Sequence, residues 1–144
     1  MVEFTRSEPG FALRLRREAQ RVASQHAQLD LFQGVVQDAL QRGDLAEAER
    51  TLARFCEALD AHFSLEEEFY FPAVHSHDSE LGAQLSELAL EHESLRTGCS
   101  EATFALSRGD AAACEAMLDA LLPRLDAHER REEALLPLPA PNAV

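Results

Sequence analysis

The sequence predicts an all-α fold, an up-down-up-down antiparallel four-helix bundle. Three observations predict it. Apolar residues recur in alternating steps of three and four along nearly the whole chain, the period of helices that bury one face. That pattern breaks at Gly43-Asp44, at His77-Asp78-Ser79 and at Gly109-Asp110, leaving four segments joined by short turns. The chain also repeats itself, because His26, His62 and Glu66 recur 66 residues later as His92, His128 and Glu132. Arg42-Gly43-Asp44 recurs at the same offset as Arg108-Gly109-Asp110, so the repeat includes the turns.

The first helix is expected over 11–42, with Leu15, Ala19, Val22, His26, Leu29, Gln33, Val36 and Leu40 on its buried seam. The second, over 45–76, continues the rule through Leu52, Phe55, Leu59, His62, Glu66, Phe69 and Ala73. The third, over 79–107, carries Leu85, Leu88, His92, Leu95, Cys99 and Ala102, and the fourth, over 111–136, carries Cys114, Leu118, Leu121, Leu125, His128 and Glu132. Asp44 and Asp110 suit N-caps, Glu47 three residues after Asp44 suggests a capping box, and Gly43 and Gly109 can take the left-handed geometry that ends a helix. Pro123 falls inside the fourth helix, where the seam keeps phase from Leu121 to His128, so a kink is expected there and not a break. The proline-rich stretch 137–144 cannot continue the helix and is expected to be a mobile tail. Residues 1–144 are expected to form one domain.

The polar seam residues fall in one layer. His26 lies 17 residues before Gly43 and His62 lies 18 after Asp44, so an antiparallel hairpin rising about 1.5 Å per residue sets them at one height. The second hairpin repeats this with His92 and His128, and Glu66 and Glu132 follow their histidines by one turn on the same face. A lone histidine on an apolar seam is ordinarily a core residue bonded to a carbonyl, but a buried carboxylate without a partner costs several kcal/mol. No Lys or Arg stands on the seams to neutralise the two glutamates. Two divalent cations would do so, with the four imidazoles completing their coordination, which places a metal site in the core of the bundle. His75 and His77 are read as solvated, Glu67, Glu68 and Glu133 as an acidic outer face, and Tyr70 as an edge-of-core residue, the alternative being a hydroxyl that bonds to the ligands. Glu133 stands near enough to exchange with Glu132, and Asp30 and Arg96 are expected to flank the site.

Thirteen basic residues stand against 26 acidic ones, a formal charge of −13, which argues against nucleic acid or an anionic membrane as the main partner. Cys56, Cys99 and Cys114 are an odd set at apolar helical positions and are expected to be buried, reduced thiols, as in a reducing cytoplasm. Neither an apolar signal core near Met1 nor a membrane-spanning stretch is seen, so a cytoplasmic protein is expected.

Over nearly its whole length the chain resembles the hemerythrin-like, or HHE cation-binding, domain family. The resemblance rests on His26, on His62-Phe-Ser-Leu-Glu66 followed by Phe71-Pro72, on Glu91-His92, and on His128-Glu-Arg-Arg-Glu132 followed by Leu136-Pro137. It implies a di-iron centre of two iron ions, with Glu66 and Glu132 bridging, His26 and His62 on one iron and His92 and His128 on the other. Manganese and zinc also suit such donors. Oxygen carriers of the family have a further His where Arg96 stands here, and an Asp five residues after the fourth-helix His, where this chain has Glu133 at plus five and Glu132 at plus four. The implied function is a non-haem di-iron protein that binds or reduces a small oxidant, whether oxygen, nitric oxide or peroxide, at open iron positions. The alternative is an iron- or gas-responsive sensor or iron-handling protein without turnover.

Overall fold

The computed structural model describes residues 10–135, and the expected tail at 137–144 lies outside them. The chain forms α1 (Phe11–Gln41), α2 (Leu45–Leu65), a π-helical turn (Glu66–Tyr70), α3 (Phe71–His77), a 3-10 turn (Ser79–Leu81), α4 (Gly82–Ser107) and α5 (Ala111–Leu135). There is no strand among the described residues. α1 packs along α2, α4 along α5, and α2 along α4, with a lighter contact between α1 and α5.

The two hairpin turns are built alike. Gly43 (φ 73°) and Gly109 (φ 77°) take the left-handed conformation that a side chain would oppose. Asp44 N–H then donates to Ala39 O and Asp110 N–H to Ala105 O, each at 3.0 Å, closing both helices in the same way. Asp44 and Asp110 next cap the following helices by accepting from Glu47 N–H (3.1 Å) and Ala113 N–H (3.0 Å). The reciprocal half of the capping box is not made, since the Glu47 carboxylate pairs with Arg50 instead. α5 runs without a break through Pro123.

The second segment departs from the uniform helix expected over 45–76. Phe71 N–H donates to Glu66 O, five residues back, so the turn at Glu66–Tyr70 holds one residue more than an α-turn. Pro72 supplies the local cause, because it has no N–H for the carbonyl four residues earlier and sits in the first turn of α3. The extra residue shifts the phase of the helix. Tyr70, expected at the edge, is fully buried, whereas Phe69, expected on the seam, is only half-buried.

Two apolar clusters fill the interior. One gathers Leu29, Leu59, Phe63, Leu95 and Leu125 with the residues toward the Gly43 and Gly109 turns, and the other gathers Val22, Leu65, Tyr70, Phe71 and Leu88. His26, His62, His92 and His128 fall in sequence between members of the two clusters, so the polar layer separates them.

The cysteines correct the expectation of reduced thiols. Cys56 on α2 and Cys99 on α4 are disulfide-bonded, with Cα atoms 5.9 Å apart, while Cys114 is free and buried. Both bridged residues occupy inward positions of packed helices, where the sulfurs meet. The bridge removes one of the grounds on which a cytoplasmic location is expected, that of reduced thiols. Reducing it should lower the unfolding free energy by about 2–4 kcal/mol, as for other native bridges. Urea unfolding with and without reductant measures this, and an unchanged midpoint and slope would show that the bridge is not formed or does not matter. No helix among the described residues is long and apolar enough to cross a membrane.

Candidate metal centre

α1, α2, α4 and α5 each contribute one histidine to the polar layer, and all four rings are buried. Glu66 at the start of the π turn and Glu132 near the end of α5 are fully buried beside them. His26 and His62 point Nε2 at each other across 3.1 Å. Glu66 Oε1 lies 3.5 Å from His62 Nε2 on its own segment and 3.2 Å from His92 Nε2. Glu132 mirrors this, with Oε2 2.7 Å from His128 Nε2 and Oε1 3.5 Å from His26 Nε2. Each carboxylate therefore stands between the two histidine pairs. His26, His62, Glu66 and Glu132 form one set of donors within 4.8 Å of one another, and Glu66, His92, His128 and Glu132 form a second, sharing both glutamates.

Hydrogen bonds within the layer do not satisfy it. Both oxygens of Glu66 and of Glu132, with Nε2 of His92 and of His128, have no aligned hydrogen-bond partner among the described residues, although some lie close. An interior seldom leaves so many polar atoms unpaired. Burial and the neighbouring Glu132 hold the Glu66 carboxyl well above the usual range. At Glu132 burial is outweighed by Glu66, His128 and His26, which keep it below that range. Burial pushes His62 down to about 3 and also lowers His92. For His26 and His128 burial is overcome by Glu132, so both rise. Two cations would neutralise the carboxylates and accept the free Nε2 lone pairs, so the donor set fits a metal.

The outer nitrogens of three rings are occupied. His62 Nδ1 pairs with Gln25 Oε1 at 2.8 Å, His92 Nδ1 with Glu67 Oε2 at 2.5 Å, and His128 Nδ1 with Glu91 Oε1 at 2.6 Å. These bonds place the proton on Nδ1 and turn Nε2 inward. Glu133 Oε1 lies 3.9 Å from His26 Nδ1. Glu67 is thus not simply part of an acidic outer face, while Glu68 is exposed as expected. Helical period and arm length alone do not mark Gln25 and Glu91 as partners of histidines. The signal existed, because Gln25 and Glu91, like Glu67 and Glu133, are related by the same 66-residue offset as the histidines they face.

Arg96 flanks the site as expected, bonding Glu67 at 3.1 Å and Asp60 at 2.8 Å. Asp30 is exposed, and His75 and His77 are exposed on α3 and belong to neither donor set. Phe63 stacks on the His92 ring, centroids 3.9 Å apart at 11°. The Tyr70 hydroxyl is buried with no hydrogen-bond partner among the described residues. Burial, then Glu132 and Glu66, raise its pKa, so it stays a donor near the carboxylates. Tyr70→Phe should leave the metal-free protein as stable as before or more stable by about 1 kcal/mol, since it removes an unsatisfied hydroxyl. A loss of more than that in urea unfolding would mean the hydroxyl has a partner.

An all-helical chain with two overlapping His/Glu donor sets in a buried layer defines a cation-binding protein. The sequence model of the family described as Hemerythrin HHE cation binding domain matches residues 17–138, and the chain belongs to that family. No curated protein and no solved structure shows a match.

Proposed function

We propose that this is a non-haem di-iron protein, an up-down-up-down antiparallel bundle whose centre binds or reduces a small oxidant such as oxygen, nitric oxide or peroxide. The observation that carries the proposal is the pair of four-residue donor sets sharing Glu66 and Glu132. In it, His26 and His62 would hold one ion and His92 and His128 the other, with Glu66 and Glu132 available to both. Bound iron would supply electrons and open positions for a small ligand.

The chain's own residues set the conditions. Phe63 and Phe71 lie against the His92 ring and limit its access to water. Gln25, Glu67 and Glu91 hold the rings in the tautomer that keeps Nε2 free. Tyr70 keeps a hydroxyl proton at the carboxylate end and can donate it in a hydrogen bond to a small ligand. Arg96 is turned to Glu67, Asp60 and Glu93, so the donor sets contain four histidines and no fifth.

The donor sets offer two histidines for each ion, and iron held there would supply electrons to an oxidant without recovering them unaided. Protein loaded with ferrous iron, exposed to oxygen and then flushed with argon, should therefore keep its oxidised optical spectrum until a reductant is added. A clean return without reductant over repeated cycles would identify a reversible carrier. Release of iron to a chelating partner without turnover would support the sensor or iron-handling alternative. Elemental analysis of the same sample decides between iron, manganese and zinc.

A further inference from the structure

We infer that the two halves of the centre hold their cations unequally: the α4–α5 half is the tight site, and the α1–α2 half is an exchangeable site for a divalent transition-metal ion. This rests on the proposed ligand set and concerns how occupancy of that set is regulated.

The 66-residue repeat would make the halves equivalent if every position matched, and the positions around the histidines do not match. His128 is backed by the Glu91 carboxylate at 2.6 Å, whereas His62 is backed by the neutral amide of Gln25 at 2.8 Å. His92 is backed by Glu67 at 2.5 Å, whereas the matching Glu133 is 57% exposed and 3.9 Å from His26 Nδ1. Each carboxylate of the α4–α5 half is anchored by an arginine, Arg96 on Glu67 and Arg131 on Glu91. Adding or subtracting 66 turns Arg96 into Asp30 and Arg131 into Leu65, so neither anchor has an equivalent in the other half. His26 alone among the rings is measurably exposed, at 7%, while His62, His92 and His128 are at 1% or below.

These breaks in symmetry act in one direction; Glu129, whose charge bears on His26 where the equivalent Phe63 stacks on His92, acts in the other through charge alone. A carboxylate on the outer nitrogen makes an imidazole a stronger donor and fixes its orientation, and loss of such a partner typically costs about 10–100-fold in metal affinity. An amide orients the ring but adds no charge. The α4–α5 half has two anchored carboxylates on its outer nitrogens, and the α1–α2 half has an amide, a distant, solvated carboxylate and the through-space charge of Glu129. The shared glutamates contribute to both halves alike and do not cancel the difference. The weaker ion is then the one that leaves as free metal falls, so the centre passes through a one-ion state.

The test is a titration of the metal-free protein with Co2+ alone, followed by calorimetry and by visible absorption. Two one-ion steps separated by about tenfold or more are expected. His26→Ala should remove the weaker step and His128→Ala the tighter one. Gln25→Glu, a conservative change outside the donor set, should narrow the gap by tightening the weaker step, and Glu91→Gln should narrow it by loosening the tighter one. Two steps of equal affinity, or a gap that neither Gln25→Glu nor Glu91→Gln changes, would overturn the inference while leaving the metal centre intact. Co2+ binding unaffected by both His26→Ala and His128→Ala would instead overturn the metal centre itself, and with it this inference.

Discussion

Loading the metal-free protein with two ferrous ions at neutral pH should raise its unfolding free energy by several kcal/mol. Each ion that binds only the folded chain adds about 4 kcal/mol when its free concentration is 1,000 times its dissociation constant. The structural reason is the layer itself, in which Glu66 and Glu132 are wholly buried and their oxygens have no aligned partner. Without cations this layer must retain protons or bear unpaired charge, both unfavourable in a core. The gain should depend on metal concentration, because it is a binding effect. Thermal and urea unfolding of metal-free and loaded protein at equal pH measures it. Coincident transitions at saturating metal would show that the cluster is a satisfied part of an ordinary core.

Replacing Glu66 with Gln should separate metal binding from folding. Glu66 lies in both donor sets, so the change should weaken both ions by more than the roughly 10–100-fold that loss of an outer partner costs, and metal content should fall to one ion or none. The metal-free protein should respond in the opposite direction. Burial and Glu132 raise the Glu66 carboxyl, so its contribution to stability is full below the ordinary carboxylate range and is lost as pH rises toward its folded value. Gln has no such loss. The metal-free variant should therefore gain on the wild type as pH is raised from about 5 upward, read by urea unfolding across that range. A variant that keeps two ions, or whose metal-free stability falls relative to wild type as pH rises, would remove Glu66 from its proposed role.

The helical period, the two matching turns and the height of the polar layer were all legible in the chain, because each depends on short-range rules. Gly43 and Gly109 do end helices, Asp44 and Asp110 do cap the next ones, and the equal arm lengths bring His26 to His62 and His92 to His128. The surroundings of that layer were less legible. Tyr70 and Phe69 exchange places because one π turn before Pro72 shifts the helix by a residue, an offset that a count of threes and fours does not contain. The same regular count sets Glu67 on an outer face, whereas in the folded chain it reaches His92 on another helix.

By itself, then, the sequence determined that this chain is all-helical and that four histidines and two glutamates share an interior level, since period, caps and arm length are local properties. Only the tertiary structure decided that Cys56 meets Cys99, that Tyr70 faces inward, and that the histidines are oriented by Gln25, Glu67 and Glu91. Those outcomes depend on the rotation of each helix about its own axis against its neighbours. A shift of one residue turns a side chain by about 100°, enough to move it from solvent to core, and packing selects among such rotations.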